Sequence, residues 1–388
     1  MSRIGAGLST EQDTVEAARR AAREAGSGID EAVDLAFVFL SPTHRERAAE
    51  AAEAVLEELQ PRNLVGCVAQ GIVARERELE EGDAAGVWAA SLPGAEIETF
   101  HAETFDGDEE IAVTGMPALH EPDLVALLVD PFTFRAPAVL ELLNDDAPGT
   151  PLVGGIAVAG ASPGSAALIV QDEVHEEGAV GAVVLGVRVR TVVSQGCAPI
   201  GHDAVVTRAE GNVVFELAGK PALVRLQEEL YALPEETRRQ AGRGLLAGFV
   251  IDENLPEYGR GDFLVRGILG VDEETGALAL GDTVRVGQTL RFHVRDAQAA
   301  DEDLREALAR EVGSSRAAGA LLFTCNGRGL NMFSEPDHDA RVVSEALGGD
   351  RLAGFFCGGE IGPVGGKSFL HGFTATMAVF LLEEPGDP

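Results

Sequence analysis

The chain has 388 residues, 45% of them hydrophobic, enough for a sizeable core in one large domain or two. Its 64 acidic against 30 basic residues give a net charge of −34, which argues against nucleic acid and anionic membrane as partners, because such binding needs lysine and arginine to displace condensed counterions. No run of about 18 apolar residues is present, and the opening MSRIGAGLSTEQD lacks the blocks of a signal peptide, so a cytoplasmic location is expected.

In chain order, SRIGAGLS reads as a short strand and TEQDTVEAARRAAREAG as an amphipathic helix. Gly5-Ala6-Gly7 echoes a dinucleotide fingerprint, but Thr10 stands where the third glycine belongs, and Ser9 or Thr10 is better read as a helix N-cap. Next comes the apolar run Leu35 to Leu40, a polar end at Ser41-Pro42, a helical stretch (HRERAAEAAEAVLEEL) and a second strand carrying Gly66. The same order follows from Leu124 (LVALLVDP, APAVLELLND, PLVGGIAVAG with Gly154) and from Ala320 (ALLFTCN, HDARVVSEALGG, RLAGFFCGGEIG with Gly354). Paired strand-like runs follow the first and third copies, GVWAASL with EIETFHAE and FLHGFTATMAVFLLE, so the long repeat is about two-fold with a partial middle copy.

AFVFL, VALLV and ALLF are continuously apolar, as strands buried on both faces are; GAVVLGVRVRTVVS and LRFHVRD alternate, as antiparallel strands with one wetter face do. Residues 203 to 288 add a hairpin turning at Glu210-Gly211-Asn212, a helix (PALVRLQEELYAL) and further strands. The expected fold is therefore α/β in the mixed α+β sense: pseudo-repeated β-α-β units, mixed sheets covered by helices, and two similar halves at 1–216 and 217–388.

Several near-motifs fail on mechanics. Gly160-Ala161-Ser162-Pro163-Gly164 fits a nucleophile elbow, but Pro163 has no N–H to lend an oxyanion hole. Gly362 to Ser368 resembles a phosphate loop with Ile361 in place of its first glycine, and a strand-like run follows where a helix is required. The eight histidines form no close pair of zinc-binding spacing, and the four cysteines form no CxxC, so reduced thiols and no metal site are expected.

The segment Cys325-Asn326-Gly327-Arg328-Gly329, after the strand ALLFT, and Gly358-Gly359-Glu360-Ile361-Gly362, after Phe356-Cys357, fall at strand ends, where ligands sit in open α/β sheets. Glycines there let backbone N–H groups approach a ligand, while Arg328 and Glu360 are able to hold a carboxylate and an amine. The plainer reading has Cys325 and Cys357 as core residues and Arg328 paired with Glu360. An enzyme with Cys325 as nucleophile, beside a Gly327 and Gly329 anion nest, is a further alternative.

LVGCVAQG, PLVGGIAVAG with GAVGAVVLGV, GCAPIGHDAVVTRAEGNVVFELAGKPAL, LLFTCNGRG, and LAGFFCGGEIGP with LHGFTATM together resemble the FIST N-terminal and C-terminal sensory domains, in a stand-alone bacterial form, over about residues 35 to 380. The resemblance implies a sensory role with a small-molecule ligand, such as an amino acid or similar metabolite. Some relatives are similar to haem-dependent gas sensors, which leaves haem as a cofactor to test. Relatives are often fused to signalling modules, and no such segment is expected here, so the resemblance implies a protein that binds alone, acts through a separate signalling protein, or does something the family name does not predict. The resemblance places emphasis on Cys325, Asn326, Gly327, Arg328, Gly358, Gly359, Glu360 and Gly362 as ligand-binding residues and transfers no catalytic residue.

Overall fold

The computed structural model describes residues 2–106, 111–242 and 244–382. The protein is a mixed α+β chain in two compact units: residues 1–193, 304–370 and 374–388 form one, and 194–303 with 371–373 the other. The expectation of two similar halves does not describe these units, because the first carries three helix-covered sheets and the second a single antiparallel sheet.

In the first unit the continuously apolar runs are strands with every residue buried: Leu35–Leu40, Leu124–Val129 and Ala317–Cys325. Each lies parallel to the strand that follows its helix: Leu64–Val68, Leu152–Ile156 and Leu352–Cys357 respectively. An antiparallel strand flanks each pair on one side, namely Ala85–Ser91, Ala179–Leu185 and Thr374–Leu381. A hairpin closes each on the other side, and it comes from a different part of the chain. Leu168–Val170 with Glu173–His175 completes the first sheet, Glu360–Val364 with Lys367–His371 the second, and Ile72–Ala74 with Arg77–Leu79 the third. Each hairpin follows the parallel pair of one sheet in sequence and docks on that of another.

The glycines of the second strands make this packing workable. A Cβ at Gly66 would lie 2.2 Å from the Val38 carbonyl oxygen, at Gly154 1.9 Å from that of Leu127, and at Gly354 1.6 Å from that of Leu322. Each partner is the residue directly opposite on the parallel strand. Gly5 and Gly7 do the same for a helix: a Cβ at either would lie 2.0 Å from a carbonyl oxygen of Thr14–Gly26, whose face of Ala17, Ala18, Ala21, Ala22 and Ala25 is fully buried. Their role is close helix-to-strand packing, and the helix N-cap is Asp13, which accepts from the Glu16 N–H at 3.0 Å.

The second unit is a closed antiparallel barrel. Its strands run in the order Cys197–Glu210, Thr289–Arg295, Leu245–Val250, Phe263–Asp272, Ala277–Leu280 and Val213–Leu217, and the last pairs back to the first. Closure leaves no long sheet edge open. Val206, Phe249, Leu278, Leu290 and Phe292 are among its core, joined by Leu226 from the helix Ala222–Ala232. Among the described residues no helix is long and apolar enough to cross a membrane.

Candidate functional site

The strand Ala317–Cys325 ends in a tight turn, with the Arg328 N–H donating to the Cys325 carbonyl at 2.8 Å. That turn directs Arg328 inward, where it has no solvent exposure. Its Nε and Nη2 each donate to Asp339 at 2.7 Å, a bidentate pair with the first turn of the helix His338–Leu347. Thr324 Oγ1 donates to the same carboxylate at 2.7 Å, and His338 Nδ1 lies 2.9 Å from it, its ring stacked on Phe333. The alternative pairing of Arg328 with Glu360 is therefore corrected: the ion-pair partner is Asp339. Burial alone would raise the Asp339 pKa, but the adjacent guanidinium and these hydrogen bonds hold it well below the usual carboxylate range. Arg328 Nη1 has no partner among the described residues.

Glu360 is fully buried, and its Oε2 accepts from the Thr374 N–H at 3.1 Å and Oγ1 at 2.7 Å. Its Oε1 is buried and accepts from no nitrogen or oxygen donor among the described residues. Burial pushes its carboxyl up to about 8, while the Thr374 bonds, the Cys325 thiol and the Arg328 charge pull it partly back.

A third carboxyl joins from the hairpin strand Arg77–Leu79, a contribution that the sequence reading missed. Glu78 is 6% exposed; its Oε1 accepts from the Ala340 N–H at 2.8 Å and its Oε2 has no partner among the described residues. Burial, with the neighbouring Asp339 charge, pushes Glu78 up to about 8. Asp337 fixes the strand, accepting from the Glu78 N–H at 2.8 Å. Glu80 Oε1 accepts from the Leu330 N–H at 2.7 Å, and a Cβ on Gly329 would lie 2.5 Å from it. Glu80 thus fills the space beside Gly329, while the Gly327 N–H donates to Cys325 Sγ at 3.4 Å.

The structure brings Cys325, Arg328 and Glu360 into one cluster. Asn326 and Gly327 are half-buried at its edge, and Gly358 is exposed. The Gly358 N–H donates to Ile156 O at 2.9 Å, and Gly359 O accepts from the Ile156 N–H at 2.8 Å, so this pair ties two strands together. Gly362 is buried with room for no side chain: a Cβ would lie 2.7 Å from Val193 Cγ2 and 2.8 Å from Thr376 Cγ2.

Stability should register the two raised carboxyls. Between the unfolded value near 4.5 and the folded value near 8, the native state holds a proton that the unfolded chain has released, so stability falls as pH rises through that window. Each group contributes up to about 1.4 kcal/mol per pH unit. Urea unfolding at pH 5.5 to 8.5 should show Glu360→Gln removing one share of that slope; an unchanged slope would count against a protonated Glu360.

All four cysteines are buried, and burial pushes the Cys67 and Cys357 thiols up. N-ethylmaleimide at neutral pH should accordingly label none of them within minutes in the native protein and all of them in urea. Rapid native labelling of Cys325, followed by peptide mass spectrometry, would revive the nucleophile alternative.

Neither His293 nor His44 is placed as a haem ligand. His293 is buried with Nε2 unpartnered, but its ring meets Phe263 edge-on at 4.9 Å, and a Cβ on Gly248 would lie 2.4 Å from its Cε1. His44, also buried, is held by Thr14 Oγ1 at 3.0 Å. No histidine lines either described cavity, of about 260 Å³ beside Met116 and Leu142 and about 660 Å³ beside Phe132 and Arg135.

Comparison with known proteins gives two family matches: the FIST N domain over residues 34–220 and the FIST C domain over 222–363. The chain is 45% identical over 383 residues to an uncharacterized protein of Mycobacterium bovis, an alignment covering 98% of this chain and 99% of that one. It is also 45% identical over 385 residues to an uncharacterized protein of Mycobacterium tuberculosis strain H37Rv, covering 98% and 100%.

Proposed function

The chain belongs to the FIST family of sensory domains, and on that premise we propose that it senses a small amino-acid-like molecule bound at the polar cluster of Arg328, Glu360 and Cys325. One observation carries this reading. Arg328 Nη1 and Glu360 Oε1, a donor and an acceptor of opposite charge type, are both buried without a nitrogen or oxygen partner among the described residues. Leaving Arg328 Nη1 unmet costs about 1 to 3 kcal/mol or more, and the Cys325 thiol beside Glu360 is only a weak donor. A carboxylate on Nη1 and an ammonium on Oε1 would meet both. Asn326 and Gly327 are half-buried beside the cluster and Gly358 is exposed, which makes this edge the side we assign to ligand entry.

The Glu360 carboxyl supplies a test that leaves the Arg328 ion pair intact. Titration calorimetry with a panel of amino acids should give a binder that Glu360→Gln weakens about tenfold or more. Because an ammonium ligand favours the ionised carboxylate, affinity should rise from pH 6 to 8, with a proton released on binding. A binder unaffected by Glu360→Gln would move the site elsewhere, and no binder at all would reject the ligand class.

A further inference from the structure

The sheets of the first unit allow a position-by-position comparison of their docked hairpins. Opposite Gly66, Gly154 and Gly354 stand Ile169, Ile361 and Val73. One residue before these come Leu168, Glu360 and Ile72, so Glu360 holds a place that is aliphatic in both other sheets. Across the hairpins, Ile169 pairs with Val174 and Val73 pairs with Glu78. Val174 packs against the cluster that includes the helix Ala48–Leu59. In the place of that valine, Glu78 lies under the helix His338–Leu347.

Two carboxyls thus occupy positions that the same topology fills elsewhere with aliphatic side chains, and each retains a buried oxygen with no nitrogen or oxygen donor among the described residues. Capping the Ala340 N–H accounts for only one oxygen of Glu78. Burying a second oxygen unmet is unfavourable and adds nothing to that cap. The Ala340 N–H that Glu78 caps adjoins Asp339, the residue that holds Arg328, so the geometry sets Glu78 beside the ion pair. Glu78 lies in the segment matched by the FIST N domain, while Arg328 and Glu360 lie in that matched by the FIST C domain.

We infer that Glu78 is a ligand-contacting residue, that the binding site is composed from both family segments, and that its ligand is an amino acid with a cationic side chain. The inference rests on the reading that Arg328 and Glu360 take the carboxylate and ammonium. With those two groups engaged, Glu78 Oε2 is the acceptor left for a second donor, and a side-chain cation answers a carboxylate better than an apolar group does.

The test compares L-lysine with L-norleucine, which lacks only the side-chain ammonium, by calorimetry on the full chain. The wild type should bind lysine about tenfold or more tightly than norleucine, and Glu78→Gln should reduce that preference to about threefold or less. Glutamine keeps an oxygen for the Ala340 N–H, so a purely structural role predicts an unaltered ratio. Glu78→Val, which installs the residue found at the equivalent hairpin position, serves if the glutamine variant does not fold. Equal binding of lysine and norleucine by the wild type, or a lysine preference that survives at residue 78, overturns the inference. If binding depends on Glu360 but not on Glu78, only this inference falls; if the wild type binds no amino acid, the reading beneath it falls as well.

Discussion

Replacing Gly354 by alanine is expected to destabilise the protein by about 3 kcal/mol or more, the upper range for an added group in a packed core. The new Cβ would lie 1.6 Å from the Leu322 carbonyl oxygen and 2.6 Å from its carbonyl carbon. Both are backbone atoms of a fully buried strand, paired on one side with Leu352–Cys357 and on the other with Thr374–Leu381, so no flexible side chain can yield. Relief requires the parallel pair to separate, which breaks ladder hydrogen bonds around the turn that holds Arg328. Gly154→Ala should behave alike, with 1.9 Å to the Leu127 oxygen and a φ of 148° as a second source of strain. Gly270→Ala is the control: it lies on a strand with nothing within 4 Å of the added atom and should change stability by less than about 0.5 kcal/mol. Urea unfolding of the three variants measures this, and a Gly354→Ala loss below about 1 kcal/mol would contradict the packing described.

These glycines also show how much of the structure was legible in sequence. Gly66, Gly154 and Gly354 stand out because each interrupts an apolar strand after a strand and a helix, and the structure gives each the same carbonyl-facing position. Unbroken apolar runs such as LAFVFL read correctly as strands buried on both faces. Local pattern could not show which hairpin docks on which pair, since Val73 meets Gly354 across most of the chain. For the same reason Glu78 was invisible: nothing local separates it from the exposed Glu76 and Glu81 that flank it. Arg328 was legible as important because it follows a buried strand end between glycines. Its ion-pair partner was not legible, because Asp339 reads as an ordinary acidic residue in the first turn of a helix. The pairing that closes the barrel, Cys197–Glu210 with Val213–Leu217, is the hairpin read at Glu210-Gly211-Asn212. Of the alternating runs, LRFHVRD is an antiparallel strand of the second unit, whereas Ala179–Leu185 belongs to the first unit and is buried on both faces.

Asp339→Ala is expected to cost about 3 to 5 kcal/mol, the range for removing one partner of a buried ion pair. The loss would leave Arg328 fully buried with its Nε and Nη2 unmet in addition to Nη1, and Thr324 without its acceptor. Arg328→Ala should cost a comparable amount by leaving Asp339 as the uncompensated charge, which makes it unsuitable as a test of ligand binding. The double variant Arg328→Met with Asp339→Leu should be less destabilised than either single change, because replacing both charges removes the penalty that one stranded charge creates. The pH dependence separates this pair from the glutamates beside it. The lowered pKa of Asp339 gives stability that is present above the unfolded value of 3.8 and lost as pH falls through its lower folded value. Glu78 and Glu360 act in the opposite sense between about 4.5 and 8. Urea unfolding across pH 2.5 to 8.5 should therefore show the double variant losing part of the acid-side dependence, and Glu360→Gln part of the neutral-side dependence. A double variant weaker than both single ones would mean that the pair is stabilising beyond its mutual compensation, and the cluster would then be a structural lock first and a binding site second.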